Sequence, residues 1–322
     1  MTNQGQIAEA VQRLRQGEPV CFPTETVYGL GADASNPQAV ARIFALKGRP
    51  ANHPLIVHIA CSAQLTHWAQ NVPAAAWDLA EAFWPGPLTL ILEKAPWVPP
   101  AVTGGQQTIG LRIPAHPLAL ELLRQFGGGL AAPSANRFGQ VSPTTAAHVG
   151  AEFGAEAPMI LDGGPCQVGV ESTILNLAGG EAVLLRPGRI TPSALAAVLG
   201  RVPRNHQASD QVRAPGLLAS HYAPRTPLQL GPAAELLGYC SQHPQLRVAL
   251  LCQRATTPSH LPEQASLITM PETPAAYGQA LYATLRQLDG QGYDLILVAN
   301  PPTAEPWQAI HNRLSRAARN TA

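Results

Sequence analysis

Residues 20–59 read VCFPTETVYGLGADASNPQAVARIFALKGRPANHPLIVHI. Val20 to Phe22 and Leu55 to Ile59 are short apolar runs of strand length. Between them Asn36 stands where a helix cap belongs, Pro37 takes the first helical position, and Val40, Ile43 and Phe44 form an apolar stripe through Leu46. Strand, helix and strand in so short a stretch predict an α/β layer structure. The same alternation continues outward. Ile7 to Gln16, His116 to Phe126 and Thr144 to Phe153 read as helices. Leu88 to Leu92, Thr108 to Ile113, Leu130 to Ala132, Ile174 to Leu177 and Val183 to Leu185 read as strands, about seven in all, of one large twisted sheet flanked by helices.

Residues 204–226 are polar, irregular and rich in proline, which removes backbone donors and holds the chain extended; they predict an interdomain linker. Beyond it, Arg247 to Cys252, Leu267 to Met270 and Leu295 to Ala299 read as strands, and Ala275 to Leu288 and Trp307 to Ala318 as helices. The expected organisation is a domain over 1–203, a linker over 204–226, and a smaller Rossmann-like α/β domain over 227–322. A chain of 322 residues suits two domains of that size.

Composition narrows the function. Twenty-one basic and twenty acidic side chains leave a net charge of +1, which excludes a strongly basic carpet for nucleic acid and points to weak or indirect contact with RNA at most. No aliphatic run approaches the roughly 18 residues that hydrocarbon demands, and the amino-terminal residues lack a continuous apolar core; the expectation is a cytoplasmic protein away from the membrane. The five cysteines are odd in number, scattered and never in a CxxC pair, so they read as buried thiols rather than a disulfide framework or zinc knuckle. Only Lys47 and Lys94 are lysines; every other fixed cation is an arginine, suited to gripping oxyanions with two donors.

Standard nucleotide and hydrolase motifs fail: Gly29-Leu30-Gly31 lacks the third glycine of a dinucleotide fingerprint, and no GxxxxGK[ST], HExxH or GxSxG occurs. What remains are polar segments at strand ends, where ligands of open α/β sheets bind. They carry the cations Lys47, Arg49, Arg112 and Arg186 and the neutral donors Ser134, Asn136, Thr144 and Ser172, with Thr26, Tyr28 and His58 beside them. Such a set suits a polyphosphate, whose transfer needs positioning and fixed cations rather than a protein nucleophile.

Taken in order, FPTETVYGLG, KGRPxxxPLIVHI, TIGLRIP, APSANxxGxxSPT, VESTIL and LRPG resemble the YrdC-like domain of the threonylcarbamoyl-AMP synthase family over residues 6 to 200. Pro215 to Pro224 (PGLLASHYAP) and Ala309 to Ala318 (AIHNRLSRAA) resemble the two signatures of its longer, two-domain form. The resemblance implies condensation of L-threonine, bicarbonate and ATP to threonylcarbamoyl-adenylate and pyrophosphate. A downstream transferase complex would pass the product to adenosine 37 of tRNA. It implies that Lys47, Arg49, His53, Thr108, Asn136, Thr144, Arg186, His221 and Tyr222 meet ATP, with Mg2+ carried on the phosphate oxygens and no protein metal ligands. Thr26, His58, Arg112, Ser134 and Ser172 would form the threonine pocket, with Lys47, Arg49 and Tyr28 nearest the reacting groups. The sequence departs from the pattern at His53, where asparagine is frequent, and at Leu217, Leu218 and Ser220, where methionine and basic residues are usual. Two other readings are an RNA-binding module without adenylate-forming activity and a carbamoyl-transfer protein of hydrogenase maturation, whose paired CxxC fingers are absent here.

Overall fold

The computed structural model describes residues 3–207, 209–217, 221–256 and 261–318. Positions 208 and 218–220 of the expected linker, and 257–260 and 319–322 of the expected second domain, lie outside the described residues. The chain forms two compact units, one of residues 1–138, 143–167 and 171–217, the other of 139–142, 168–170 and 218–322.

The first unit is built on ten strands: β1 Val20–Phe22, β2 Gly29–Asp33, β3 Ile56–His58, β4 Leu88–Glu93, β5 Thr108–Arg112, β6 Leu130–Ala131, β7 Met159–Ile160, β8 Thr173–Asn176, β9 Val183–Arg186 and β10 Arg204–Asn205. Their order across the sheet is β10-β9-β8-β4-β5-β3-β6-β2-β1-β7. The helices are α1 Asn3–Arg15, α2 Pro37–Lys47, α3 Leu65–Trp68, α4 Ala74–Phe83, α5 Pro100–Thr103, α6 Pro117–Phe126, α7 Ala146–Phe153 and α8 Pro192–Leu199. Asn36 caps α2 as expected, its side chain accepting from Gln38 and Ala39 N–H, and Gly48 closes it in the left-handed region at φ 60°.

Side chains alternate across the sheet, and the two faces differ. Val57, Leu88, Leu90, Leu92, Ile109, Leu111, Leu175 and Leu184 share a core with Val40 and Ile43 of α2, Leu79 of α4 and Leu195 of α8. The opposite face carries Ile56, Ile91, Ile174, Val183 and Leu185, covered by Ala214 with Val212 and Leu217 of the proline-rich segment. His58, Thr89, Gly110 and Arg112 have the same parity as Ile56 and Ile91 and so stand on that second face.

Three strands of this sheet, β2, β7 and β10, are absent from the sequence reading, as is β11 Leu228–Gly231 of the second unit. The residues of β2, GLGAD, look like a turn, yet they pair with β1 and β6 because Gly31 admits the Phe22 ring; a Cβ there would lie 2.5 Å from its Cε1. The two-residue strands β7 and β10 are too short to show a period. The pairing of β10 with β9 brings residues 204–205 into the first unit's sheet. Of the five cysteines four are buried, whereas Cys61 is exposed; burial pushes the Cys21 and Cys166 thiols up to about 12.

The second unit holds a four-stranded parallel sheet of β11 Leu228–Gly231, β12 Val248–Gln253, β13 Ala265–Met270 and β14 Leu295–Ala299, in the order β11-β14-β12-β13. Its helices are α9 Ala233–Gln242, α10 Pro274–Asp289 and α11 Gln308–Ala317. No helix among the described residues is long and apolar enough to cross a membrane.

Candidate active site

The loop from Pro23 to Tyr28 is ordered by Thr24. Its hydroxyl donates to Val27 O at 2.6 Å and accepts from the Thr26 and Val27 amides, a local turn that fixes Thr26. The Thr26 hydroxyl accepts from Arg112 Nη1 at 3.0 Å. Arg112 reaches this point because β5 ends here; its Nε donates to Gly86 O at 3.1 Å, and Nη2 lies 2.6 Å from Glu25 Oε1. Both side chains of this ion pair are buried, and the other Glu25 oxygen accepts from Ala115 N at 3.0 Å. Arg112 is thus hydrogen-bonded through Nε and Nη1 and meets the Glu25 carboxylate as an ion pair through Nη2. His58, opposite Arg112 in the β3–β5 register, is buried, and burial with the nearby Arg112 charge drops its pKa to about 3, so it is a neutral imidazole.

A second set gathers at Ser172. Its hydroxyl shares a 2.8 Å hydrogen bond with Thr89, and Arg186 donates to it through Nη2 at 3.1 Å and to the Ser172 carbonyl through Nε at 3.0 Å. Arg186 stands on this face because of a β-bulge. Ile174 pairs with Arg186 while Leu175 pairs with Leu184, so Leu185 is the extra residue and Arg186 shares the face of Ile174. Arg186 Nη1 also donates to Pro215 O at 3.1 Å.

The third set lies where α2 ends. Lys47, 2% exposed, donates to the carbonyls of Ser134 and Asn136. Burial, and then the Arg49 charge, hold its pKa well below the usual lysine value. The Asn136 side-chain amide donates to Arg137 O at 2.7 Å. Arg49 donates to Pro54 O at 3.0 Å and lies over the Phe138 ring at 5.7 Å. His53 packs edge-on to the same ring at 5.3 Å; burial and the charges of Arg49 and Arg213 lower its pKa. Thr144, buried, is 3.3 Å from His148 Nδ1 through its hydroxyl. Thr108 begins β5 opposite Glu93, on the face of Arg112 but at the other end of the strand.

Tyr28, His221 and Tyr222 make contacts of their own. The Tyr28 hydroxyl donates to Gly164 O at 2.9 Å and accepts from Gly163 N at 3.2 Å, so it braces the 162–164 loop. Tyr222, 1% exposed, is stacked on Tyr282, the Arg313 guanidinium lies 5.3 Å from the centre of its ring, and His221 packs on it edge to face at 4.1 Å. The sequence reading missed Glu25: it quotes this residue inside FPTETVYGLG, but only the fold shows a buried carboxylate beside Arg112. It also missed Thr89, a lone hydroxyl inside an apolar strand.

A family model described as the threonylcarbamoyl-AMP synthase C-terminal domain matches residues 190–319, and one described as telomere recombination matches residues 12–188. The threonylcarbamoyl-AMP synthase of Bacillus subtilis (strain 168) is 41% identical over 325 residues, 98% of this chain and 94% of that protein. The chain belongs to the threonylcarbamoyl-AMP synthase family. A second family member, from Pyrococcus abyssi, is 39% identical over 94% of this chain and 91% of its own length. The crystal structure of P. abyssi Sua5 complexed with L-threonine superposes with a TM-score of 0.89 at 38% identity, covering 97% of this chain and 94% of that one. As a threonylcarbamoyl-AMP synthase the chain is an enzyme, a transferase of tRNA processing, and its mixed α/β architecture is that of the two-domain members.

Proposed function

We propose that the enzyme condenses L-threonine, bicarbonate and ATP into threonylcarbamoyl-adenylate and pyrophosphate in the cytoplasm, for modification of adenosine 37 of tRNA by a downstream transferase complex. One observation carries this reading: the sheet face opposite α2, α4 and α8 bears Arg112 with the Thr26 hydroxyl and Arg186 with the Ser172 hydroxyl. Two fixed cations with neutral donors on one face suit an amino acid carboxylate beside a phosphate chain. The threonine complex of the Pyrococcus relative supports the amino acid assignment.

The chemistry needs no protein nucleophile. Threonine's amine bonds to the carbon of bicarbonate with loss of water, giving a carbamate. A carbamate oxygen then attacks the α-phosphorus of ATP while the bond to the β-phosphate oxygen breaks and pyrophosphate leaves. Negative charge grows on the phosphates, and Lys47, Arg49 and Arg186 are the cations assigned to it, with Asn136 and Thr144 as neutral donors. Arg112 and Thr26 are assigned to the threonine carboxylate and hydroxyl region, with neutral His58, Ser134 and Ser172 beside them. Thr108, His53 and His221 are assigned to the nucleotide's outer parts, and Tyr28 to shaping the pocket through the 162–164 loop. The phosphate-facing set is cationic, so it fits a triphosphate that carries Mg2+ on its own oxygens.

Pyrophosphate release from ATP, measured with and without threonine and bicarbonate and paired with mass detection of the adenylate, tests the reading. Release that needs both co-substrates supports it; ATP turnover indifferent to threonine overturns it.

A further inference from the structure

We infer that Arg286 is a positioning residue for the enzyme's site, acting through the backbone of the loop that leads into Thr144. The inference rests on the reading of Thr144 as a donor to the nucleotide.

The second unit contains two short pieces of chain from far upstream, Gly139–Ser142 and Val168–Val170. In sequence the first is followed by Pro143 and Thr144, and the second by Glu171 and Ser172. One helix, α10, holds both pieces. Gly278, Tyr282 and Arg286 are spaced by four residues and therefore share a face of that helix. At the first of these turns, Gly169 adopts φ +77°, and a Cβ on it would come within 2.5 Å of Gly278 O and of Gln279 Cα, so the 168–170 piece lies directly on the helix backbone. At the second, Tyr282 stacks on the Tyr222 ring at 6.0 Å. The chain next to that ring grips the 139–142 piece, since Ala223 N donates to Gly139 O at 2.9 Å and Ala223 forms a bridge with Gln140. At the third, Arg286 donates to the carbonyls of Val141 and Ser142.

The hold reaches the site through very little chain. Pro143, next after Ser142, accepts from Tyr28 N at 2.9 Å, and the Thr144 carbonyl accepts from Cys166 N at 2.9 Å. Thr145 then caps α7. The loop is thus fixed at each of its residues, with Arg286 supplying a charged donor to two successive carbonyls. A guanidinium is suited to this because one planar group reaches two successive carbonyls, each charge-assisted bond stronger than a neutral one.

The test uses the full chain, with Arg286→Ala, Arg286→Lys and Thr144→Val assayed for pyrophosphate release across ATP concentrations at saturating threonine. Arg286→Ala is expected to raise the ATP KM about tenfold, the worth of one charge-assisted hydrogen bond. The lysine variant, which keeps a charged donor, recovers most of it. The threonine Kd stays unchanged, because Gly169 meets the helix backbone and not the Arg286 side chain. A merely structural loss would remove active molecules, lowering the rate at every ATP concentration without moving KM. If Arg286→Ala does not fold, Arg286→Gln is judged by the same criterion. A wild-type ATP KM in the arginine variants, with a raised one in Thr144→Val, overturns the positioning role. A wild-type KM in Thr144→Val overturns instead the nucleotide role of Thr144, and with it the inference.

Discussion

Glu25 and Arg112 are each costly to bury alone and tolerable as a pair. Both are buried at 2.6 Å, so removing the cation leaves an uncompensated carboxylate in the interior. Arg112→Ala is therefore expected to lose about 3–5 kcal/mol of stability and to raise the threonine requirement steeply. Thermal denaturation and threonine-dependent kinetics check the two effects, and a threonine KM equal to wild type removes Arg112 from the amino acid pocket. Lys47 differs in having carbonyls rather than a carboxylate for partners. With its folded pKa below the ordinary 10.5, the unfolded chain holds the proton more tightly. Its burial therefore costs stability in full below the lowered folded pKa, a cost that fades as pH rises from there and is gone above 10.5. An arriving triphosphate favours the ammonium, so nucleotide binding takes up protons above the lowered pKa. Calorimetry in buffers of different ionisation enthalpy reads this directly; a binding enthalpy independent of buffer refutes it. Lys47→Ala is expected to lose about 3 kcal/mol of transition-state stabilisation, like removal of an oxyanion donor, and full activity in that variant removes Lys47 from the phosphate clamp.

At the scale of elements, close backbone approach decides where the donors stand. Gly188 follows β9, and a Cβ on it would lie 2.3 Å from Thr173 N and 2.7 Å from the Ser172 carbonyl carbon. Gly188→Ala must push β8 and the segment after β9 apart, and is expected to cost about 1–3 kcal/mol as an overpacking change. It should also weaken the contact between Arg186 and Ser172, read as a raised ATP KM; unaltered stability together with unaltered kinetics would show that the two strands separate freely. The long elements here were legible from sequence: α2 has its cap and stripe, and β4 and β5 are apolar runs. The bulge in β9 was not, since a single extra residue leaves no mark on the apolar pattern of Val183 to Leu185, yet it is what turns Arg186 toward Ser172.

For the whole molecule, the proline-rich stretch illustrates how a polar segment acquires a place. Arg213 donates to Asn52 O at 2.9 Å and Gly104 O at 2.8 Å, and its backbone exchanges two hydrogen bonds with the Gln106 amide. Val212, Ala214 and Leu217 then cover Ile56, Ile91, Ile174, Val183 and Leu185 on one face of the sheet. Gln106→Ala is expected to speed tryptic cleavage after Arg213 several-fold, by raising the population of the detached segment; an unchanged rate means that the arginine side chain and the apolar contacts suffice. Sequence alone determined the α/β class, the two sheets and the family resemblance, because strand and helix periods, caps and ordered motifs are local and survive without coordinates. Only the tertiary structure decided that Glu25 faces Arg112, that Tyr28 and Tyr222 are engaged in packing, and that Gly139–Ser142 belongs with α10. Those facts depend on which distant residues share a sheet face or a helix face, and pairing across such separations is set by the closed fold rather than by any neighbouring stretch of chain.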